Sequence, residues 1–160
     1  LLPSIRGEQA LEITGQLGSV MQESARTAWT WVKAYLDESC GGDQIRSVDA
    51  HVHVPCGAVQ KDGASAGLAM AISLISAYKQ IPVRADMAVT GEISLRGRII
   101  PVGGIAMKLV AAHGAGIRHV VIPEGNIEDL EELPVGVRNE LSVYPVSTAT
   151  EAVQLVLAQA

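Results

Sequence analysis

The segment that most constrains this chain runs from Ser65 to Lys79, SAGLAMAISLISAYK, in which almost every side chain is apolar and uncharged. A helix that is apolar on every side is buried, so this segment predicts a helix inside the domain. The chain has no Phe and only 3% aromatic residues, which predicts a core of Val, Ile, Leu, Ala and Met. Its 160 residues suffice for one domain with a sizeable core, but not for two.

Strand-like and helix-like segments alternate along the rest of the chain. Apolar and polar residues alternate over 48–54, which predicts a half-buried strand. Helical spacing predicts a helix over about 19–36, capped by Ser19 with Gln22 and ended by Gly41-Gly42. Further strands are predicted around 11–13, 99–102, 119–122 and 142–146, and further helices at 105–113, 128–133 and 150–157. The segment 87–95 is predicted as a strand or a hairpin with a turn near Gly91. This alternation predicts an α/β or α+β fold in a single domain.

Charge and cysteine content exclude several classes of protein. The formal net charge is −5, and no cluster of Lys or Arg provides the basic face of a nucleic-acid-binding protein. Polar residues interrupt every apolar run before it reaches the length of a membrane span, and no secretory signal opens the chain. Cys40 and Cys56 are too few for a disulfide scaffold, which favours a reducing compartment. The first residue is Leu1 rather than Met, so we expect an excised fragment or a processed product.

The stretch KDGASAG (61–67) places Ser65 between small residues and the apolar helix. One interpretation is that Ser65 caps the helix, because serine oxygens accept hydrogen bonds from the first helical amides. The other is that Ser65 is a nucleophile. Small neighbours let a substrate backbone approach, and amides at a helix start can stabilise an oxyanion. The neighbours in question are Gly63, Ala64, Ala66 and Gly67.

A serine nucleophile needs a base, and the sequence offers lysines more readily than histidines. The four histidines (His51, His53, His113, His119) form no Ser-His-Asp pattern and no zinc-ligand spacing, so no metal is expected. Lys79 completes an S-x-x-K pattern but stands at a helix end, where a positive charge is favourable in any protein. Lys108 follows Gly103-Gly104 by one helical turn among apolar residues. Its side chain either extends along the apolar surface so that the amine reaches solvent, or is buried for a functional reason.

Several long motifs, in order, resemble the proteolytic domain of Lon proteases. KDGASAG is similar to P-K-D-G-P-S-A-G, and VTGEISLRGRIIPVGGIAMK is similar to M-T-G-E-[IV]-[ST]-L-x-G-x-[IV]-L-P-[IV]-G-G-[ILV]-x-x-K. GQLGSVMQES, DAHVHVP and AAHGAGIRHVVIPEGNIEDLEELP also match the family, so the likeness covers nearly the whole chain from about Thr14. The resemblance implies one Lon-type domain over 1–160, with a mixed sheet and packed helices, in which 1–13 is a linker or first strand from an upstream ATPase part.

The resemblance also implies a serine endopeptidase with a serine–lysine dyad. Ser65 matches the family nucleophile, Lys108 the base, and Thr90 the threonine that orients the lysine. Asp62 matches the acidic residue of the serine loop, and it either pairs with Lys108 or binds amides of its own loop. Departures from the family pattern are Cys56, Gln60, Ala64 and a single lysine in GGIAMK, and none of them removes the dyad.

Partners and cofactors follow from the same resemblance. The expected substrates are unfolded polypeptides or peptides, and the parent enzyme is expected to form a hexameric ring for protein quality control, in the cytoplasm, mitochondrial matrix or peroxisome. No G-x-x-x-x-G-K-[ST] motif is present, so ATP and Mg²⁺ are expected only on the upstream ATPase part. Two alternatives remain open: a catalytically idle ring-assembly module of the same fold, and nucleotide binding at Gly103-Gly104.

Overall fold

The computed structural model describes residues 10–40, 48–55 and 58–157 of the chain. The predicted helix stop at Gly41-Gly42, the thiol of Cys56 and most of the segment 1–13, predicted as a linker or first strand, lie outside the described residues. None of the described helices is both long and apolar enough to span a membrane.

Five α-helices and seven strands alternate along the described chain. The helices are α1 (Ser19–Cys40), α2 (Gly67–Lys79), α3 (Ile105–Gly114), α4 (Val135–Glu140) and α5 (Ala149–Val156). The strands are β1 (Leu11–Thr14), β2 (Ala50–His53), β3 (Met87–Val89), β4 (Glu92–Ile93), β5 (Ile99–Ile100), β6 (His119–Pro123) and β7 (Ser142–Val146). Three 3-10 turns accompany them, at Ala64–Ala66, Glu124–Asn126 and Glu128–Glu132. The predicted α/β class is confirmed.

The strands form three small sheets. β1 pairs with β2 in parallel across the α1 crossover, and β3, β6 and β7 form a parallel sheet with β6 in the middle. β4 and β5 form an antiparallel hairpin beside the Ser65 segment. Crossovers through α3 and α4 connect the parallel strands, as parallel pairing requires. The carboxyl end of β3 therefore leads directly into Thr90 and Gly91, next to the start of α2.

The core lies around α2, as its apolar sequence predicts. α2 packs along α1, and its buried residues include Leu68 and Ile75, both at 0% exposure. A second cluster forms between α3 and β6, where Leu109 and Ile122 are fully buried. The expectation of an aliphatic core needs one correction, because the indoles of Trp29 and Trp31 are also buried in the main cluster.

Four local features differ from the sequence predictions. The segment 87–95 is neither one strand nor a hairpin, because it forms β3 and β4, which belong to different sheets. α4 was not predicted from the sequence, since it is only six residues long and shows no extended periodicity. The acidic segment 128–132 is a 3-10 turn rather than an α-helix. Ser19 is the first helical residue of α1 and not its cap, because the amide of Gln22 donates to the carbonyl of Gly18 and its side chain donates to the carbonyl of Leu17.

Candidate active site

Ser65 lies in the middle of the 3-10 turn Ala64–Ala66, which we call the Ser65 turn. The cap position of α2 is occupied by Ala66, and Gly63 occupies the cap position of the turn itself. Neither position has a side-chain capping bond, so the interpretation of Ser65 as the helix cap is wrong. The extra 3-10 turn displaces Ser65 from the first residue of the helix, which single-residue preferences do not reveal.

The backbone of the Ser65 turn is hydrogen-bonded to the segment that follows β3. The carbonyl of Ser65 accepts from the amide of Gly91 at 2.9 Å and from the Thr90 hydroxyl at 3.5 Å. The amide of Leu68 donates to the carbonyl of Gly91 at 3.1 Å. The amide of Thr90 donates to Val121 in β6, which ties this contact to the parallel sheet. The sheet therefore sets the position of Ser65.

Helix α1 holds the same turn from the other side. The Ser24 hydroxyl donates to the carbonyl of Ala64 at 3.1 Å. Asp62 Oδ1 accepts from the amides of Met21 and Gly63, both at 2.9 Å. The carboxylate of Asp62 therefore sits at the first turn of α1, where the helix dipole favours a negative charge. Its carboxyl carbon would lie 2.3 Å from a Cβ at Gly18, so glycine at that position permits the close approach.

Asp62 thus binds backbone amides, one of them in its own loop. Of the two interpretations left open by the sequence, this contact matches the second. Within the described part of the chain, none of the ion pairs joins Lys108 to a carboxylate.

Lys108 lies in α3, one turn after Gly104, and its side chain is half-buried. Nζ donates to the carbonyl oxygen of Gly103 at 2.9 Å. Burial lowers the pKa of Lys108 below its ordinary value, because the charged amine loses solvation. A lower pKa makes the neutral amine, which can accept a proton, more available near neutral pH.

One cavity of about 250 Å³ brings three of the predicted site residues together. Ser65, Thr90 and Lys108 line it, although they lie on the Ser65 turn, after β3 and in α3. The rest of its wall is apolar and comes from Ala66, Ala69, Ala88, Val89, Leu109, Ala112 and Val120. The Thr90 hydroxyl reaches the Ser65 carbonyl, and its orientation of Lys108 stays a prediction. A serine and a lysine that line one small, mostly apolar cavity are residue types that can perform acyl transfer.

A second cavity, of about 340 Å³, adjoins the first. Ala66 and Ala69 line both cavities, so the two adjoin at the start of α2. Its other lining residues come from β2, the residue after it and one side of α2: His51, Val52, His53, Val54, Met70, Ser73, Leu74 and Ala77. This groove was not predicted, because it depends on the packing of β2 over α2.

The histidines have structural contacts instead of a place beside Ser65. His51 and His53 both hydrogen-bond the Thr14 hydroxyl, at 2.9 and 2.8 Å, across the β1–β2 pair. His113 pairs with a glutamate of α4, and His119 bonds the hydroxyl of Tyr144. In the described ranges, no group of three His, Cys, Asp or Glu residues could hold a metal ion.

Comparison with known proteins identifies the family of the chain. The family model of the Lon protease (S16) C-terminal proteolytic domain matches residues 3–159. The chain is 46% identical over 151 residues to a Lon protease of Syntrophomonas wolfei, covering 94% of this chain and 19% of that protein. It is 47% identical over 155 residues to a Lon protease of Haemophilus influenzae (96% and 19%) and 48% identical over 157 residues to one of Erwinia amylovora (98% and 20%). The chain thus spans about a fifth of the length of these relatives. It belongs to the Lon protease family and corresponds to its C-terminal proteolytic domain.

Proposed function

We propose that this chain is a serine endopeptidase domain in which Ser65 is the nucleophile and Lys108 the general base. The observation that carries this proposal is the shared cavity, which Ser65, Thr90 and Lys108 all line among apolar residues. The half-buried position of Lys108 supports the assignment, because it lowers the pKa of the amine, and among the described residues none of the ion pairs joins a carboxylate to it.

The reaction begins when neutral Lys108 accepts the proton of the Ser65 hydroxyl as the serine oxygen attacks a peptide carbonyl. The tetrahedral intermediate collapses, the peptide C–N bond breaks, and the protonated lysine gives its proton to the departing amine. Water then attacks the acyl-enzyme while Lys108 again accepts a proton. The carboxylate product leaves, and the Ser65 hydroxyl recovers its hydrogen from the lysine.

The oxyanion needs backbone donors near Ser65. Of the four small loop residues, Gly63 and Gly67 already use their amides, which donate to Asp62 and to the Ala64 carbonyl. The remaining candidates are the amides of Ala64, Ser65 and Ala66. Of these we assign the role to Ser65 and Ala66, because both residues line the cavity.

The groove formed by the two adjoining cavities suits an extended, unfolded polypeptide as substrate. In the described part of the chain β2 pairs only with β1, which leaves its other edge for the main chain of a substrate. We propose that this chain is part of a longer enzyme, because the Lon proteases that it matches are about five times its length. ATP binding, Mg²⁺ binding and assembly of the hexameric ring are then properties of that longer enzyme. On its own, this chain is then expected to cleave small or unfolded peptides without ATP and to leave stable folded proteins intact.

Reaction with a fluorophosphonate and binding of a peptide boronate test this function. Wild-type protein should be labelled at Ser65 and should cleave an unfolded peptide. Ser65→Ala and Lys108→Ala should each abolish cleavage while the far-ultraviolet circular dichroism stays unchanged. Lys108→Arg keeps the positive charge but cannot lose its proton, so it should also be inactive. A wild-type protein that neither reacts nor cleaves would indicate the idle ring-assembly module, and normal cleavage by Lys108→Arg would refute the lysine base.

A further inference from the structure

Ser24 is a buried polar residue of α1 that the proposed mechanism does not use. Its side chain belongs to a residue only 6% exposed, and its hydroxyl donates to the carbonyl oxygen of Ala64 at 3.1 Å. Ala64 directly precedes Ser65, so this carbonyl belongs to the peptide group that also carries the amide hydrogen of Ser65. A buried hydroxyl without a partner is costly, and the contact is therefore a persistent part of the fold.

The orientation of that peptide group decides where the Ser65 amide points. A trans peptide group is planar, and its C=O and N–H bonds point in opposite directions. Because Ser24 draws the Ala64 carbonyl toward α1, the Ser65 amide hydrogen points away from α1. Among the described residues, the walls of the 250 Å³ cavity come from other elements, and no residue of α1 lines it.

The peptide group on the other side of Ser65 is also held. Its carbonyl accepts from the amide of Gly91, so separate elements hold the two peptide groups that flank Ser65. Within the described residues, the Ala64 carbonyl accepts from the amide of Gly67 at the start of α2 and from the hydroxyl of Ser24 in α1. Of these two bonds, the one from Ser24 connects this peptide group to an element that is distant in sequence.

Gly67 shows how closely Ser24 approaches the Ser65 turn. A Cβ placed on Gly67 would lie 2.5 Å from the Ser24 hydroxyl oxygen, which is closer than real Cβ contacts allow. A side chain at position 67 would therefore displace the hydroxyl from its present position. The Ser24 hydroxyl therefore occupies space that is free only because residue 67 is glycine.

We propose that Ser24 is a positioning residue that holds the Ala64–Ser65 peptide group so that the Ser65 amide can donate to the oxyanion. The inference rests on the proposed function, because it presupposes that Ser65 is the nucleophile. Ser24 touches neither the substrate nor the reacting atoms, and its effect is confined to the donor that stabilises the tetrahedral intermediate.

Steady-state kinetics of Ser24→Ala, with active sites counted by fluorophosphonate titration, test the proposal. A net hydrogen bond of ordinary strength corresponds to a decrease in kcat of about 3–10-fold, with KM within about twofold of wild type. Affinity for a peptide boronate, whose adduct mimics the tetrahedral intermediate, should fall by a similar factor. Ser24→Cys keeps the size of the side chain but is a weak donor, so it should show the same pattern with less disturbance of the core.

A double-mutant cycle with Gly67→Ala identifies the pathway. Alone, Gly67→Ala should lower kcat because its methyl group displaces the Ser24 hydroxyl. In the Ser24→Ala background that oxygen is gone, so the added decrease should be much smaller than in wild type. The control Thr30→Ala removes an exposed α1 hydroxyl that bonds the Arg26 carbonyl, and it should leave kcat unchanged.

Three outcomes separate failure of this inference from failure of the proposed function. If Ser24→Ala and Ser24→Cys lower only the melting temperature, while kcat and boronate affinity per titrated site match wild type, Ser24 is merely structural and the inference is overturned. Additive effects of the two substitutions would overturn it as well. If Ser65→Ala retains cleavage, the proposed function itself fails, whatever the Ser24 variants do.

Discussion

Replacing Asp62 distinguishes a carboxylate that caps α1 from one that pairs with the lysine. Asp62 accepts from the amide of Met21 in the first turn of α1 and from the amide of Gly63, both at 2.9 Å. Loss of a side-chain cap costs about 0.5–2 kcal/mol, and two accepted amides place Asp62→Ala in the upper half of that range. For a domain of this size, about 1–2 kcal/mol corresponds to a melting temperature lower by about 2–8 °C.

Asp62→Asn separates the hydrogen bond from the charge. The asparagine oxygen still accepts from both amides, whereas the interaction of a full negative charge with the helix dipole is lost, at about 0.3–1 kcal/mol. We expect a melting temperature lower by about 1–4 °C at low salt, and a smaller difference at 1 M salt because ions screen exposed charges. Asp37→Asn is the matched control. Asp37 lies in the last turn of α1, where a negative charge is unfavourable, so that variant should be equally or more stable.

Activity profiles complete this test. If Asp62 only binds amides, the pH at which kcat/KM rises should be the same in wild type and Asp62→Asn, because the proton affinity of Lys108 is unchanged. A pairing of Asp62 with Lys108 would raise the pKa of the lysine, so Asp62→Asn would shift the rise to lower pH. Scanning calorimetry and pH-rate profiles on the same samples decide the matter. An unchanged melting temperature together with such a shift would refute the capping assignment.

Three further predictions concern the lysine, the groove and the last helix. Burial lowers the pKa of Lys108, so kcat/KM of the wild type should rise with pH around a midpoint below 10.5. Because the unfolded chain then binds the extra proton, the free energy of unfolding should increase as pH rises from that midpoint toward 10.5. A midpoint at or above 10.5 would contradict the burial argument. Ala69 lines both cavities, so Ala69→Leu should raise KM for unfolded peptides several-fold. The control Ala34→Leu, on the exposed side of α1, should leave KM unchanged. Equal KM values for Ala69→Leu and wild type would exclude the groove as the substrate site. The hydroxyl of Thr148 caps α5 by accepting from the amide of Glu151. Thr148→Ala should therefore lower the free energy of unfolding by about 1 kcal/mol in urea titration, and a decrease below about 0.3 kcal/mol would show that this cap contributes little.

Local pattern was sufficient to predict much of the fold. The apolar segment of α2, the alternation in β2 and the short apolar strand β6 were predicted from side-chain periodicity, which records directly whether a segment is buried on one face or on both. The short α4 and the 3-10 turn at Ser65 were not, because segments of three to six residues are too short to show a period.

The candidate site likewise combines residues that the sequence predicted with one that only the structure identified. Motifs in the sequence singled out Ser65, Lys108, Thr90 and Asp62, and the first three line one cavity. No motif assigned a role to Ser24, whose partner Ala64 is 40 positions away.

The sequence by itself determined which segments are apolar, the order of strands and helices, and the residue types available for chemistry. Only the tertiary structure decided that Asp62 contacts the first turn of α1, that α1 holds the Ala64 carbonyl, and that the Lys108 amine is partly withdrawn from water. The physical reason is range: periodicity and turn preferences act over a few neighbouring residues, whereas hydrogen bonds and desolvation depend on which distant segments packing brings within a few ångströms.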